Sequence, residues 1–155
     1  MEQINALNQV AEFHKTFQHP ILEKPQIPSD KRCRLRIELI REELKELEQA
    51  ILDKDMIEIA DALCDIQYVL SGAVLEFGLG EKFKKLFDEV QRSNMSKACI
   101  SEDEALATID NFSRKGQVCH FEQVDGKYLV YRSEDHKTMK SINYSPADLK
   151  SVLED

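Results

Sequence analysis

The sequence predicts an all-α helical bundle with a small C-terminal β-hairpin. Three observations lead there. Apolar residues recur at three-to-four spacing in successive stretches up to about residue 112. The breakers are few, 5 Gly and 4 Pro in 155 residues, and most fall between those stretches. The period changes only near Gly116, where two short runs flank Asp125-Gly126.

Taken in order, the first helix spans residues 2–18, with Ile4, Leu7, Val10 or Ala11, Phe13 or His14, and Phe17 at helical spacing; His19-Pro20 ends it. Residues 19–30 hold Pro20, Pro25 and Pro28 and read as an extended connection closed by Ser29-Asp30 as a helix N-cap. From there to residue 52, Ile37, Ile40, Leu44, Leu47 and Ile51 form one apolar stripe, and Leu35 and Leu39 add apolar groups on a second side. After a short polar link at 52–55, the next helix runs over 56–77 and stops at Gly78-Leu79-Gly80. So short a link makes these two helices antiparallel. A third long pattern covers 81 to 94 or 97, with Phe83, Leu86, Phe87 and Val90. Another helix begins at Ser101, where Ser101 and Glu104 form a capping box ahead of Ala105, Leu106 and Ile109. Strands are predicted at 117–124 and 127–132, hinged on Asp125-Gly126, and are read as an appendage because two strands alone are marginally stable. A terminal helix is placed at Ser145-Pro146, with Ser145 as cap and Pro146 at the first helical position.

Composition bounds the function. The length suits one domain, organised as a helical core over 1–97 and a C-terminal helix, hairpin and terminal helix over 98–155 packed on it. With 21 Lys+Arg against 29 Asp+Glu, the net charge of −8 repels a phosphate backbone, so duplex nucleic acid is not an expected partner. No apolar run approaches the roughly 20 residues that cross a bilayer, and the first residues lack the order of a secretory signal. A cytoplasmic protein with no membrane partner is expected. Cys33, Cys64, Cys99 and Cys119 form no C-x-x-C pair and read as reduced thiols.

The sharpest chemical signal is acidic. Glu42, Glu43 and Glu46 span an arc of about 100° on one helix, and Glu58, Asp61 and Asp65 about 60° on the next. A solvated face is the ordinary account of such a set. Against it, no Lys or Arg occurs between Asp55 and Glu81, so the second helix offers its carboxylates no local salt bridge despite its apolar character. Measured from the turn, Glu46 and Asp61 stand at about 9 Å and Glu42 and Asp65 at about 15 Å, so the two sets share levels. Oxygen-only ligands favour a hard cation, Mg²⁺ with Mn²⁺ as a possible substitute, and Mg²⁺ is commonly shared with substrate phosphates. Zinc is set aside because His14, His19, His120 and His136 do not fall at ligand spacing on these helices, and the four are read as structural. A di-iron site is set aside because no Glu-x-x-His occurs.

Glu42-Glu43-Leu44-Lys45-Glu46 followed by Glu58-Ile59-Ala60-Asp61 resembles the E-E-x-x-E … E-x-x-D signature of the all-α nucleoside triphosphate pyrophosphohydrolases. Residues 58–69, 75–78 and 89–97 are similar to the small MazG-like, phosphoribosyl-ATP-pyrophosphohydrolase-like branch, a likeness that covers about 1–97. The resemblance implies Mg²⁺-dependent cleavage of a nucleoside triphosphate between its α and β phosphates. It implies Glu43, Glu46, Glu58 and Asp61 as metal ligands and Glu42 as the residue that orients or deprotonates water or holds a further metal, with Asp65 a further ligand or an orienting group. It also implies a homodimer or homotetramer.

Arg92, Asn94 and Lys97 are the candidates for the triphosphate, against ordinary capping of a helix end. Tyr68 is the candidate to stack on the base, with Phe13 and Phe17 better explained by packing. Two other readings stand beside this one: a catalytically silent helical oligomerisation or interaction module, and hydrolysis of phosphoribosyl-ATP.

Overall fold

A computed structural model describes residue 2 and residues 4–155. The element order is α1 (Ala6–Thr16), α2 (Asp30–Asp53), α3 (Met56–Glu76), α4 (Phe83–Met95), α5 (Glu102–Ser113), β1 (Cys119–Val124), β2 (Lys127–Arg132) and α6 (Leu149–Glu154). The chain divides into two compact units, Met1–Phe83 and Lys84–Asp155. No helix among the described residues is long and apolar enough to cross a membrane.

In the first unit α3 packs against both α1 and α2. Two residues make the turn between α2 and α3. Lys54 takes a left-handed conformation (φ 57°), and the Asp55 carboxylate accepts from the backbone N–H of Ile57 (2.9 Å) and Glu58 (3.2 Å). An αL residue ends one helix and an Asx cap starts the next, which folds the pair antiparallel as the short link predicts. The far end of α3 closes on Gly78 (φ 68°), whose N–H donates to the Leu75 carbonyl at 3.1 Å while Leu79 N–H donates to Val74 at 3.0 Å. A Cβ on Gly78 would lie 1.9 Å from the Lys24 carbonyl oxygen, so this position needs glycine both for its φ and for its space. The proline-rich connection docks here: Leu22 N–H donates to the Leu75 carbonyl (3.0 Å) and Gln26 N–H to that of Phe77 (3.1 Å), satisfying groups that the helix end leaves open.

Two expectations in this unit change. Helix α1 begins at Ala6, and Gln3 of its predicted range lies outside the described residues. In α2 only Ile40 and Leu47 of the predicted stripe are half-buried, while Ile37, Leu44 and Ile51 are each more than half exposed; the covered side is the arc through Arg36, Ile40, Glu43, Leu47 and Ala50. Periodicity locates two apolar sides of this helix but cannot say which one the chain itself covers. Likewise α3 is buried at Ala62 and then in its last turns, at Ser71, Gly72, Val74, Leu75 and Glu76, while Met56, Ile57 and Leu63 are exposed.

The second unit is built on α5 and the hairpin. Ser101 Oγ accepts the Glu104 N–H at 3.2 Å, as the capping box predicts, but the Glu104 carboxylate reaches back to Ile100 N–H (3.0 Å) and accepts the Ser141 hydroxyl. Asp125 (φ 48°) and Gly126 (φ 74°) make the two-residue turn. The register pairs His120 with Tyr131 and Phe121 with Val130. Alternation therefore places Cys119, Phe121, Tyr128 and Val130 on the inner side, where they surround Cys99, Ala105 and Met139, and leaves His120, Glu122, Leu129 and Tyr131 on the other. Cys99 exchanges both backbone hydrogen bonds with Tyr128, at 2.9 Å each, and Met139 N–H donates to Val130 at 2.8 Å, so β2 is tied on both flanks. The hairpin supplies the core of this unit.

The terminal helix starts three residues later than predicted. Asp148, not Ser145, is its cap, accepting from Ser151 N–H at 3.1 Å. Ser145 and Pro146 are held along α4 instead: Ser145 N–H donates to Ser96 Oγ (2.9 Å), and Arg92 donates to Ser145 Oγ (3.0 Å) and to the Pro146 carbonyl (2.9 Å). These bonds outweigh the local signal for a cap.

Candidate active site

The six carboxylates lie on the half of the α2–α3 hairpin nearest its turn. Helix α2 carries Glu42, Glu43 and Glu46, and α3 carries Glu58, Asp61 and Asp65. Glu43 and Asp65 are half-buried and the others exposed. Burial pushes the Glu43 carboxyl above the usual carboxylate range, and the charges of Asp65, Glu46, Glu42 and Asp61 push it further. Carboxylates of both helices thus act on one group, which places Glu42, Glu43, Glu46, Asp61 and Asp65 in a single field. Glu58 lies further along α3 toward the link. Its N–H is held by the Asp55 cap one turn nearer the link.

None of the ion pairs among the described residues involves any of the six. Nor does any trio of the six bring ligand atoms within 4.8 Å of one another, a closeness reached among the described residues only by His120, Glu122 and His136 on the hairpin. An oxygen-only set, open at this spacing, fits a hard cation that keeps several of its waters rather than one caged by protein.

The other end of the same helix pair is closed. Glu76 is fully buried and accepts from both Arg32 and Arg36, with Arg32 Nε at 3.0 Å from Oε2. Burial drives its carboxyl upward, but the two guanidinium partners prevail and hold it below the ordinary value. His14 is buried beside them, its Nδ1–H donating to the Pro20 carbonyl at 2.9 Å; burial and the Arg36 charge lower its affinity for a second proton. Gly72 makes the room: a Cβ there would stand 2.6 Å from Arg36 Nη1 and 3.0 Å from His14 Nε2. Sequence reasoning missed this cluster. The signal was available, since Arg32 and Arg36 are an i, i+4 pair whose distance from the turn, about 30 Å along the axis, matches that of Glu76.

Between the two ends lies a cavity of about 370 Å³ lined by Phe13, His14, His19, Leu35, Arg36 and Tyr68, among others. Phe13 meets Tyr68 edge-on at 5.6 Å. Tyr68 stands one turn beyond Asp65, and Leu39, also in the lining, one turn before Glu43. The Arg36 Nε is buried without a hydrogen-bond partner.

Arg92, Asn94 and Lys97 belong to the second unit and have local partners there. Arg92 forms a two-point pair with Glu89, Nε to Oε2 at 2.7 Å and Nη2 to Oε1 at 2.8 Å, and Lys97 donates to Asn94 Oδ1 at 2.8 Å. Hydrogen bonds from Arg92 and from Asp148 N–H bring the Glu89 carboxyl down to about 2.

The sequence profile of the phosphoribosyl-ATP pyrophosphohydrolase family matches residues 10–94, which hold all six carboxylates. The chain belongs to that family. The phosphoribosyl-ATP pyrophosphohydrolase family lies within the MazG-like superfamily and supports a pyrophosphohydrolase-type activity, hydrolysis of a phosphoric anhydride. The chain is also 24% identical to an uncharacterised protein of Acanthamoeba polyphaga mimivirus, over an alignment covering 94% of this chain and 94% of that protein. That likeness extends beyond the family profile into the hairpin unit.

Proposed function

We propose that this protein is a Mg²⁺-dependent nucleoside triphosphate pyrophosphohydrolase of the nucleotide pool, acting in the cytoplasm, with Mn²⁺ as a workable substitute. One observation carries the reading: five carboxylates from two antiparallel helices share a field that no Lys or Arg among the described residues neutralises by an ion pair. Isolated like charges at a half-buried site are unfavourable and call for a cationic partner.

Glu43, Glu46, Glu58 and Asp61 would hold the ion, with Asp65 completing or orienting the set. Bound Mg²⁺ supplies positive charge to the phosphate oxygens. Glu42 is assigned to the attacking water: as its oxygen bonds to the α-phosphorus, Glu42 takes its proton. The bond from that phosphorus to the bridging oxygen breaks, and pyrophosphate leaves with the electron pair. The aromatic edge of Tyr68, beside the cavity lined by Phe13 and His19, suits a base. Arg92, Asn94 and Lys97, the triphosphate candidates of the sequence, lie in the second unit, where Arg92 is held by Glu89, Ser145 and Pro146.

A homodimer or homotetramer accompanies this reading. Ile37, Leu44 and Ile51 on α2 and Met56, Ile57 and Leu63 on α3 remain exposed on a single chain, apolar groups that a second copy would cover.

Incubation with each ribo- and deoxyribonucleoside triphosphate plus Mg²⁺, measuring pyrophosphate, tests the proposal. Release that disappears in Glu46→Gln supports it. Release only from phosphoribosyl-ATP, the substrate that names the matching family, moves the activity to that compound. No release from any of them, with Glu46→Gln equal to the parent in Mg²⁺ binding, leaves a silent helical module.

A further inference from the structure

The hairpin of β1 and β2 lies outside the residues matched by the family profile, and its outer face carries a second constellation of metal-ligating groups. His120 and Glu122 are two apart on β1 and point to the same side, away from the core. The third member, His136, comes from the loop after β2. Its ligand atom and those of His120 and Glu122 all lie within 4.8 Å of one another.

The loop that delivers His136 is tightly built. Arg132 Nε donates to Asp135 Oδ1 at 2.8 Å, Lys137 N–H donates to the same oxygen at 3.2 Å, and His136 N–H closes the turn on the Arg132 carbonyl at 2.9 Å. His136 itself holds a left-handed backbone, φ 58°, a conformation that an L-residue adopts at a cost and that therefore calls for a reason. The result of that backbone is an imidazole laid flat on Tyr131, with centroids 4.1 Å apart and planes 14° apart, facing His120 at 5.7 Å. Tyr131 is the cross-strand partner of His120, so one pair of the ladder sets both rings. The Nδ1 of His120 is held by Ser133 Oγ at 3.1 Å, which leaves Nε2 on the side of Glu122, whose Oε1 is 3.9 Å away. Fixing one ring nitrogen by an outer partner while the other faces a ligand position is the arrangement that metal-binding histidines use.

We propose that His120, Glu122 and His136 bind one divalent transition-metal ion of the Zn²⁺ class, at a site separate from the acidic residues of α2 and α3. Two imidazole nitrogens and one carboxylate oxygen suit Zn²⁺ and Co²⁺ and discriminate against Mg²⁺. Three protein ligands leave a fourth position for water. Ligand atoms around a tetrahedral Zn²⁺ stand about 3.3 Å apart, so closure needs only the exposed Glu122 and His136 side chains to draw in. The bound ion would cross-link β1 to the loop after β2.

The experiment uses the full chain, stripped with a chelator and kept in excess Mg²⁺ so that oxygen-only sites hold a hard ion. Titration with Co²⁺, read by its visible absorption and by paramagnetic shifts of imidazole protons, should show one ion bound through two histidines and displaced by Zn²⁺. His120→Ala and His136→Ala should each weaken Co²⁺ binding by at least ~10-fold, since loss of a ligand costs no less than loss of an outer partner. Glu122→Gln should weaken it too. All three variants should keep the parent's circular dichroism and its pyrophosphate release in Mg²⁺. Unchanged Co²⁺ affinity in the His120→Ala/His136→Ala double variant overturns the proposal, as does Co²⁺ binding that Glu43→Gln abolishes and the histidine variants do not.

Discussion

The two ends of the α2–α3 hairpin carry buried or half-buried acids with opposite neighbours. At the far end Glu76 has Arg32 and Arg36; at the end near the turn Glu43 has Asp65, Glu46, Glu42 and Asp61. One carboxyl is held below its ordinary range and the other above it, on the same two helices. A satisfied buried charge is held by its partners, whereas a crowd of unsatisfied ones stores repulsion that a proton or a bound cation relieves. The contrast separates a paired acid from the unpaired acids to which the proposed function assigns the metal.

The largest expected effect attacks the closed end. Glu76→Gln strips the charge that Arg36 is buried against and should cost roughly 3–5 kcal/mol in urea unfolding, while Glu46→Gln leaves stability unchanged or slightly raised. Equal costs for the two would erase the distinction. Next comes chemistry at the open end: Glu46→Gln and Asp61→Asn should each lower pyrophosphate release by ~10²-fold or more, about 2.7 kcal/mol, with melting temperature preserved. Mg²⁺ gives a third effect. At about 100 times its dissociation constant it should stabilise the parent by ~2.7 kcal/mol, an increment that Glu43→Gln loses.

The smallest effect is in pH, and it sharpens the comparison by sign. His14 has a folded affinity for protons below its ordinary 6.5, so its contribution is complete above that pH and declines as pH falls through it. Glu76, also depressed, loses its contribution as pH falls below its ordinary 4.5. Glu43 runs the other way: its raised carboxyl binds a proton more readily when folded, so acid relieves the open end. Melting temperature in metal-free buffer should therefore fall on acidification below 6.5, and His14→Gln should flatten the first part of that decline. A decline that survives in His14→Gln would remove His14 from the account.

Much of the framework was legible. The antiparallel pair, the Ser101 cap, the Asp125-Gly126 turn and the carboxylate sets follow from spacing and local chemistry, because caps and turns act within a few residues. What escaped was set over long separations. Glu76 meets Arg32 and Arg36 across 44 and 40 positions, and Ser145 is drawn from its predicted cap role by Arg92 and Ser96, 53 and 49 positions back. His120 and His136 looked unrelated until the hairpin register and the loop at Asp135 brought them to one face.

The sequence by itself determined which segments are helical, where they turn, and that six acids repeat at helical intervals on two consecutive rods, since these depend on periodicity and on neighbours along the chain. Only the tertiary structure decided how each rod is rotated. That rotation turned Glu43 toward Asp65, hid Glu76 against two arginines and left Ile37, Leu44 and Ile51 outside, because burial depends on which side a distant segment covers, and no local interval records it.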